Sequence, residues 1–189
     1  MNIIVAVDEQ DCIGNNNELI YDVSVDKTHF KRLTLHSAVV MGKNTWESLP
    51  IKPLPNRINI IISTTLCDVT HPNTFIYNSF ELFMQHVHNN KYKNPFTTVL
   101  YPIFIIGGSQ LYDHVLNQYE VDTIYKTVII DSNTNKTVLH NPVYFTSMDE
   151  SYVMHGSSSI ITTKYTCQYH NDHTPIECVF NVYKKTIRI

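Results

Sequence analysis

Glycine is scarce in this chain, with 5 in 189 residues. That scarcity excludes the named phosphate loops: a Walker A ending at Lys43 would need glycine at position 37, which is Ser37, and a dinucleotide fingerprint would need a third spaced glycine after Gly108. Cysteine is also sparse. Cys12, Cys67, Cys167 and Cys178 lie far apart in a chain long enough to fold without staples, so reduced thiols are expected. No stretch approaches the ~20 apolar residues of a membrane span. The opening "MNIIVAV" meets Asp8 and Glu9 at once and carries no basic leader, which leads to the expectation of a cytoplasmic protein. There is no long run of lysine or arginine, and the formal net charge is −3. An electrostatic footprint for nucleic acid or an anionic membrane is therefore missing, and a small-molecule partner and a monomer are expected.

What is present is an ordinary globular composition, 43% hydrophobic and 16% charged, enough to bury a core in one domain spanning 1–189. "IIVAV" (3–7), "AVVMG", "INIIIST" and "IFIIGG" are short continuous apolar runs, the signature of strands buried on both faces. Between them, "VDKTHFKRL" and "KNTWESL" read as helices, as does the stretch after Ser79, where Phe80, Phe83, Met84 and Val87 form a core-facing stripe. "QLYDHVL" follows Ser109, which is expected to cap it. Residues 8–24 read as loop. After residue 122 only strands are expected, "TIYKTVII", "YFTS", "SYVMHG" and a closing hairpin. The fold class is thus α/β: a central mixed, mostly parallel sheet of about eight strands flanked by helices, with an antiparallel C-terminal hairpin.

Asp26 carries the first chemical question. Phe30 and Leu33 follow it at helical spacing, so the acid lies on the apolar face of its helix. Taken alone, an acid in a first helical turn is explained by the macrodipole. Two strand-to-helix turns, "VVMGKNTW" and "IIGGSQLY", each offer helix N–H groups to an anion. Each alone is a tight turn before a helix, but ligands of open α/β sheets lie beyond the carboxyl ends of the strands, so both would face one edge. Cys167, His170, His173 and Cys178 allow a zinc knuckle on paper. The same stretch reads as a hairpin with its tip at "HNDHTP" and the two cysteines opposite each other, and no metal is expected.

"CIGNNNELIYDVSVDKTHFKRLTL", "VVMGKNTWESL", "LPNRINIIIST" and "IFIIGGSQLY" occur in the order and spacing of dihydrofolate reductase, and the resemblance runs over nearly the whole chain. It implies reduction of 7,8-dihydrofolate to tetrahydrofolate with hydride from NADPH. Under the resemblance Asp26 is the carboxylate that binds the pterin and promotes protonation of N5, and Thr127 is the threonine that bonds to it. Ile4, Phe30, Leu49, Leu54 and Ile106 are implied to surround the pterin and benzoyl rings, with Arg57 as the fork for the α-carboxylate of the glutamate tail. Ala6 and Ile13 are implied nicotinamide contacts. Gly42, Lys43, Thr45, Gly107, Gly108, Ser109, Gln110 and Tyr112 are implied on the pyrophosphate side, and Lys43, Ser63 and Thr64 at the adenosine 2′-phosphate. The family's paired glycines adopt a cis peptide.

One departure stands out. Where the family carries Pro-Trp, this chain has Ile20-Tyr21. The loop concerned closes over the nicotinamide, and Tyr21 takes the place of a tryptophan that helps hold an ordered water, so an active enzyme with altered loop kinetics is expected. Residues 132–142 carry no resemblance. Two rivals share the fold or the ligands: the riboflavin-pathway reductase, which usually lacks an acid at Asp26 followed by Phe four residues on, and a degenerate NADPH- or folate-binding protein without turnover.

Overall fold

The computed structural model describes residues 1–89, 100–132, 139–146, 148–163 and 175–186, with 166–167 as backbone only. In chain order the elements are β1 (Asn2–Asp8), β2 (Cys12–Asn15), β3 (Glu18–Leu19), β4 (Tyr21–Asp22), α1 (Ser24–Thr34), β5 (Ala38–Gly42), α2 (Lys43–Ser48) and β6 (Ile58–Ile62). Then follow β7 (Thr74–Tyr77), α3 (Phe80–His88), β8 (Ile103–Ile105), α4 (Ser109–Gln118), β9 (Thr123–Ile130), β10 (Pro142–Tyr144), β11 (Tyr152–Ser157), β12 (Ile161–Thr163), β13 (Thr166–Cys167) and β14 (Ile176–Lys185). No helix among the described residues is long and apolar enough to cross a membrane.

The main sheet runs β11-β14-β9-β1-β8-β5-β6-β7, with β12 added beside β14. From β9 to β7 every pairing is parallel, whereas β14 joins β9 and β11 antiparallel. The apolar runs explain this arrangement. Ile3, Val5 and Val7 of β1 pack to one side with Phe80, Phe83 and Val87 of α3 and with Leu111, Tyr112 and Val115 of α4. Ile4 faces the other way, joining Val39, Met41, Ile61 and Trp46 of α2, with Phe30 and Leu33 of α1 against them. Each strand is therefore apolar on both faces because both faces carry helices. Ser79 caps α3, its Oγ accepting from Leu82 N at 3.3 Å.

Four expectations need correction. Residues 8–24 are not simple loop: β2 pairs with β3 and with β10, and β4 pairs with β13. The pairings with β10 and β13 join segments more than a hundred residues apart, so no local pattern announces them. Ser109 does not cap α4; Gly108 holds the N-cap position, without a side-chain cap, and Ser109 is the first helical residue. The strand expected at "YFTS" sits earlier, at Pro142–Tyr144. Finally, the two cysteines of the closing stretch are not opposite each other. Cys178 pairs with Ile161 and Ile129, while Cys167 pairs with Tyr21, because the chain leaves β14 after Thr163 and adds β13 to β4 instead. Cys178 is fully buried among Ile20, Val23, Ile129 and Ile176, and burial, reinforced by nearby Asp26, pushes its thiol up to about 11. His170 and His173 lie outside the described residues.

Phe83 is fully buried, edge-on to Tyr77 at 5.7 Å and beside Phe80 at 5.7 Å. Phe83→Ala is expected to cost about 3–5 kcal/mol of stability through lost burial and a residual cavity, read from the urea midpoint at unchanged slope.

Candidate functional site

The carboxyl ends of β5 and β8 bring the two strand-to-helix turns together. Gly42 N donates to Gly107 O at 2.8 Å, and the peptide between Gly107 and Gly108 is cis. Gly107 has φ +116, a conformation side chains rarely adopt, and a Cβ there would lie 3.3 Å from the Tyr112 hydroxyl and 3.4 Å from Thr45 Oγ1. Thr45 of one turn is thus packed on the glycines of the other. The Tyr112 hydroxyl donates to Ile4 O at 2.8 Å, tying α4 to β1 below the turn. In front of the two helix N-termini opens a cleft of about 750 Å³. Ile13, Gly42, Lys43, Thr45, Ser63, Thr64, Gly107, Gly108, Ser109, Gln110 and Tyr112 all line it. Ala6 does not; it packs against the Cys12, Ile20 and Tyr21 cluster. The opposite wall is the small sheet of β2, β3 and β10, with Leu19 and Val143 toward the cleft. Gly14 is needed there, since a Cβ would come within 2.5 Å of Glu18 O.

At one end of the cleft Lys43 Nζ donates to Thr65 Oγ1 at 3.3 Å and lies 3.7 Å from Glu47 Oε1. Ser63 is buried, and its Oγ accepts from Thr65 N and Leu66 N at 3.2 and 3.0 Å, so its oxygen is spent on shaping the turn. Thr65, which the resemblance did not assign, is the hydroxyl beside Lys43. Its signal was the Ser-Thr-Thr run itself: a serine that turns the chain onto its own backbone leaves the later hydroxyls to face outward.

A second grouping lies between α1, α2 and the sheet. Ile4 is buried in the cluster against which Phe30, Leu49, Leu54 and Ile106 pack, half-exposed. The guanidinium of Arg57 stands 5.6 Å from the Phe30 ring centre, an arrangement that a cation and a ring face favour. Arg57 is only 7% exposed. It donates through Nη1 to Thr34 Oγ1 at 2.9 Å and through Nε to Pro55 O at 3.1 Å, so the fork is held in place before anything binds. Thr34, fully buried, in turn donates to Phe30 O. Eight positions after Asp26, it was visible in the sequence only as a threonine at the end of a helix.

Asp26 sits in the first turn of α1 above Thr127, whose hydroxyl bonds to its carboxylate. Thr127 is buried between Ala6 on β1 and Phe180 on β14, the residues opposite it in the sheet. Burial in these surroundings raises the Asp26 pKa above the usual carboxylate value, and the Thr127 bond offsets part of that. Tyr21, by contrast, is buried against Ile129 and Cys178 and directs its hydroxyl to Asp131 at 3.2 Å.

A raised pKa means that the folded protein holds more protons than the unfolded chain between the unfolded value, about 3.9, and the folded one. Stability tied to Asp26 is present below about pH 4 and is lost as pH rises through the folded pKa. Without ligand, Asp26→Asn should therefore unfold at a higher temperature than wild type at pH 7, and the difference should vanish below about pH 4 in thermal melts.

With this geometry in hand, comparison with known proteins is specific. Residues 1–184 match the family described as dihydrofolate reductase. A dihydrofolate reductase of Schistosoma mansoni is 37% identical over 128 residues, covering 62% of this chain and 65% of that protein. A viral dihydrofolate reductase of Saimiriine herpesvirus 2 is 33% identical over 141 residues, 70% of this chain and 64% of the relative. That of Neisseria gonorrhoeae is 49% identical over 63 residues, 33% and 39% of the two chains. The matched segments thus span less than two thirds of each of these relatives. The match over residues 1–184 extends through both turns, α1, β9 and β14, and the chain belongs to the dihydrofolate reductase family.

Proposed function

We propose that this protein reduces 7,8-dihydrofolate to 5,6,7,8-tetrahydrofolate with NADPH. The observation that carries the reading is Asp26: a half-buried carboxyl of raised pKa at the start of the helix whose Phe30 and Leu33 pack on an apolar cluster, with a pre-oriented arginine held over the Phe30 ring. A flat, polar-edged ring with an acidic tail suits that combination. The Asp26 carboxylate would bind the ring's amino group and neighbouring nitrogen, Ile4, Phe30, Leu49, Leu54 and Ile106 would enclose its faces, and Arg57 would take the tail carboxylate by two parallel hydrogen bonds.

The cleft suits a dinucleotide. The N–H groups of Ser109 and Gln110 at the start of α4 precede the first intrahelical bonds, Gly107 leaves room that a side chain would fill, and Lys43 adds a positive charge. Lys43 with Thr64 and Thr65 would favour an additional phosphate, which is why NADPH is preferred to NADH; Ser63 would act by shaping their turn. Ile13 would meet the nicotinamide from the β2 side, with Ala6 beneath it on β1. When bound, NADPH supplies the hydride. What the chain supplies is position, exclusion of water and help with a proton: Asp26, made less acidic by burial, would favour a proton on the substrate nitrogen adjacent to the carbon that is reduced.

NADPH oxidation followed by absorbance with dihydrofolate tests the reading. Wild type should turn over, with kcat falling as pH rises through the Asp26 pKa. Asp26→Asn should lower kcat roughly 10²–10⁴-fold and lose that inflection. Arg57→Lys should raise KM for dihydrofolate about 10- to 100-fold with a smaller change in kcat, since one directional hydrogen bond to a charged group is lost. Lys43→Ala should erode the preference for NADPH over NADH about tenfold. Binding of both ligands without turnover would favour a degenerate binding protein instead.

A further inference from the structure

Asp131 has no part in the site described above, yet it is only 3% exposed. It directly follows β9 and accepts the Tyr21 hydroxyl at 3.2 Å. The alternation of a strand puts Thr127, Ile129 and Asp131 on one face. On that face Thr127 bonds to Asp26, and Ile129 packs with Ile20, Tyr21 and Val23. Two carboxyl–hydroxyl pairs therefore stand along the same face of one strand, four residues or roughly 13 Å apart. At Thr127 the strand gives the hydroxyl and α1 the acid; at Asp131 the strand gives the acid and the loop the hydroxyl.

We propose that Asp131 is a positioning residue: by accepting the Tyr21 hydroxyl it fixes the 19–22 segment, and with it the Leu19 wall of the cofactor cleft, at a set offset from Asp26 along β9. The inference rests on the proposed reductase function for its catalytic consequence. The first half of the same loop has its own anchors. Asp11 pairs with Lys126 at 2.5 Å, Phe145 N donates to Asp11 O at 2.8 Å, and Asn141 N donates to Asn15 Oδ1 at 2.8 Å. The second half is held by the short β4–β13 pairing, by burial of Ile20 and Tyr21, and by the bond to Asp131. The pair between Asp22 and Lys27 at 2.6 Å is exposed on both sides and adds little. The strand pairing fixes the backbone, burial says that the Tyr21 ring is inside, and the Asp131 bond says where the ring's tip must be.

The test uses the full chain as wild type, Asp131→Ala, Asp131→Asn, Tyr21→Phe and the Tyr21→Phe/Asp131→Ala double variant. Amide hydrogen exchange of residues 19–22 is read without ligand, and kcat and KM for dihydrofolate with NADPH. Asp131→Ala and Tyr21→Phe should each speed exchange about tenfold, the scale of a hydrogen bond to an acid, and the double variant should go no further. Asp131→Asn keeps a carbonyl acceptor and should stay close to wild type. kcat should fall in the two disruptive variants while KM for dihydrofolate, set at Asp26 and Arg57, holds. Additive effects in the double variant, equal loss in Asp131→Asn and Asp131→Ala, or a change confined to KM would overturn the proposal. A wild type that turns over while 19–22 exchange ignores Asp131 sinks this inference alone. A wild type without turnover whose exchange follows the expected pattern sinks the reductase reading and leaves the positioning role standing.

Discussion

The register of β9 against its neighbours is the constraint on which the site depends. Thr127 lies opposite Ala6 of β1 on one side and Phe180 of β14 on the other. A slip of one residue would turn Thr127 to the opposite face, toward α3 and α4, and bring Val128 under Asp26. It is held because the two faces have different tenants. Ile124 and Val128 belong with Phe80, Phe83 and Val115, whereas Tyr125 and Ile129 pack on the side of α1 and the loop. Parallel pairing of β1 with both β8 and β9 then brings Ile4 beside the second turn, where Tyr112 reaches its carbonyl. The acid, its threonine and the paired glycines are thereby referred to one strand pair.

Asp26 is placed against stability. A macrodipole favours its charge in the first turn of α1, and the Thr127 hydroxyl favours it too, but burial outweighs both and its pKa rises. Arg57 shows the same tension with the opposite sign. Burial lowers its pKa, although Thr34, Pro55 and the Phe30 face compensate well enough for a guanidinium to stay charged. Two ionisable groups of opposite charge, each partly desolvated and each on its own rim of one apolar cluster, are poorly explained by packing alone. A ligand that carries a cationic or hydrogen-bonding head and an anionic tail would relieve both.

Much of this was legible in the residues because its signals are local. The apolar runs at 3–7, 38–42 and 58–62 are strands, the Phe80, Phe83 and Val87 stripe is a core-facing helix, and the Gly107–Gly108 pair marks a turn where the chain has almost no other glycine. What escaped was non-local. The strands at 12–15 and 21–22 have no run of their own and exist because residues 142–144 and 166–167 come to meet them, and 18–19 pairs in turn with 12–15. Asp131 lies at the head of the stretch that resembles nothing, so only the fold could bring it to Tyr21. Thr65 and Thr34 were hidden for another reason: a threonine gives no sign in sequence of whether its hydroxyl serves its own backbone or a neighbour's charge.

The exchange of Pro-Trp for Ile-Tyr changes the kind of restraint on the loop. A proline restrains a loop by narrowing its backbone in the unfolded and folded states alike, so the restraint is present whether or not the loop is docked. Ile20 and Tyr21 restrain it only when docked, through burial at 6% and 9% exposure and through the bond to Asp131. Such a restraint is lost in one step when the segment lifts, since the hydroxyl and the acid separate together with the apolar contacts around Ile129 and Cys178. β9, which holds both Thr127 and Asp131, thereby sets where the segment lies relative to Asp26.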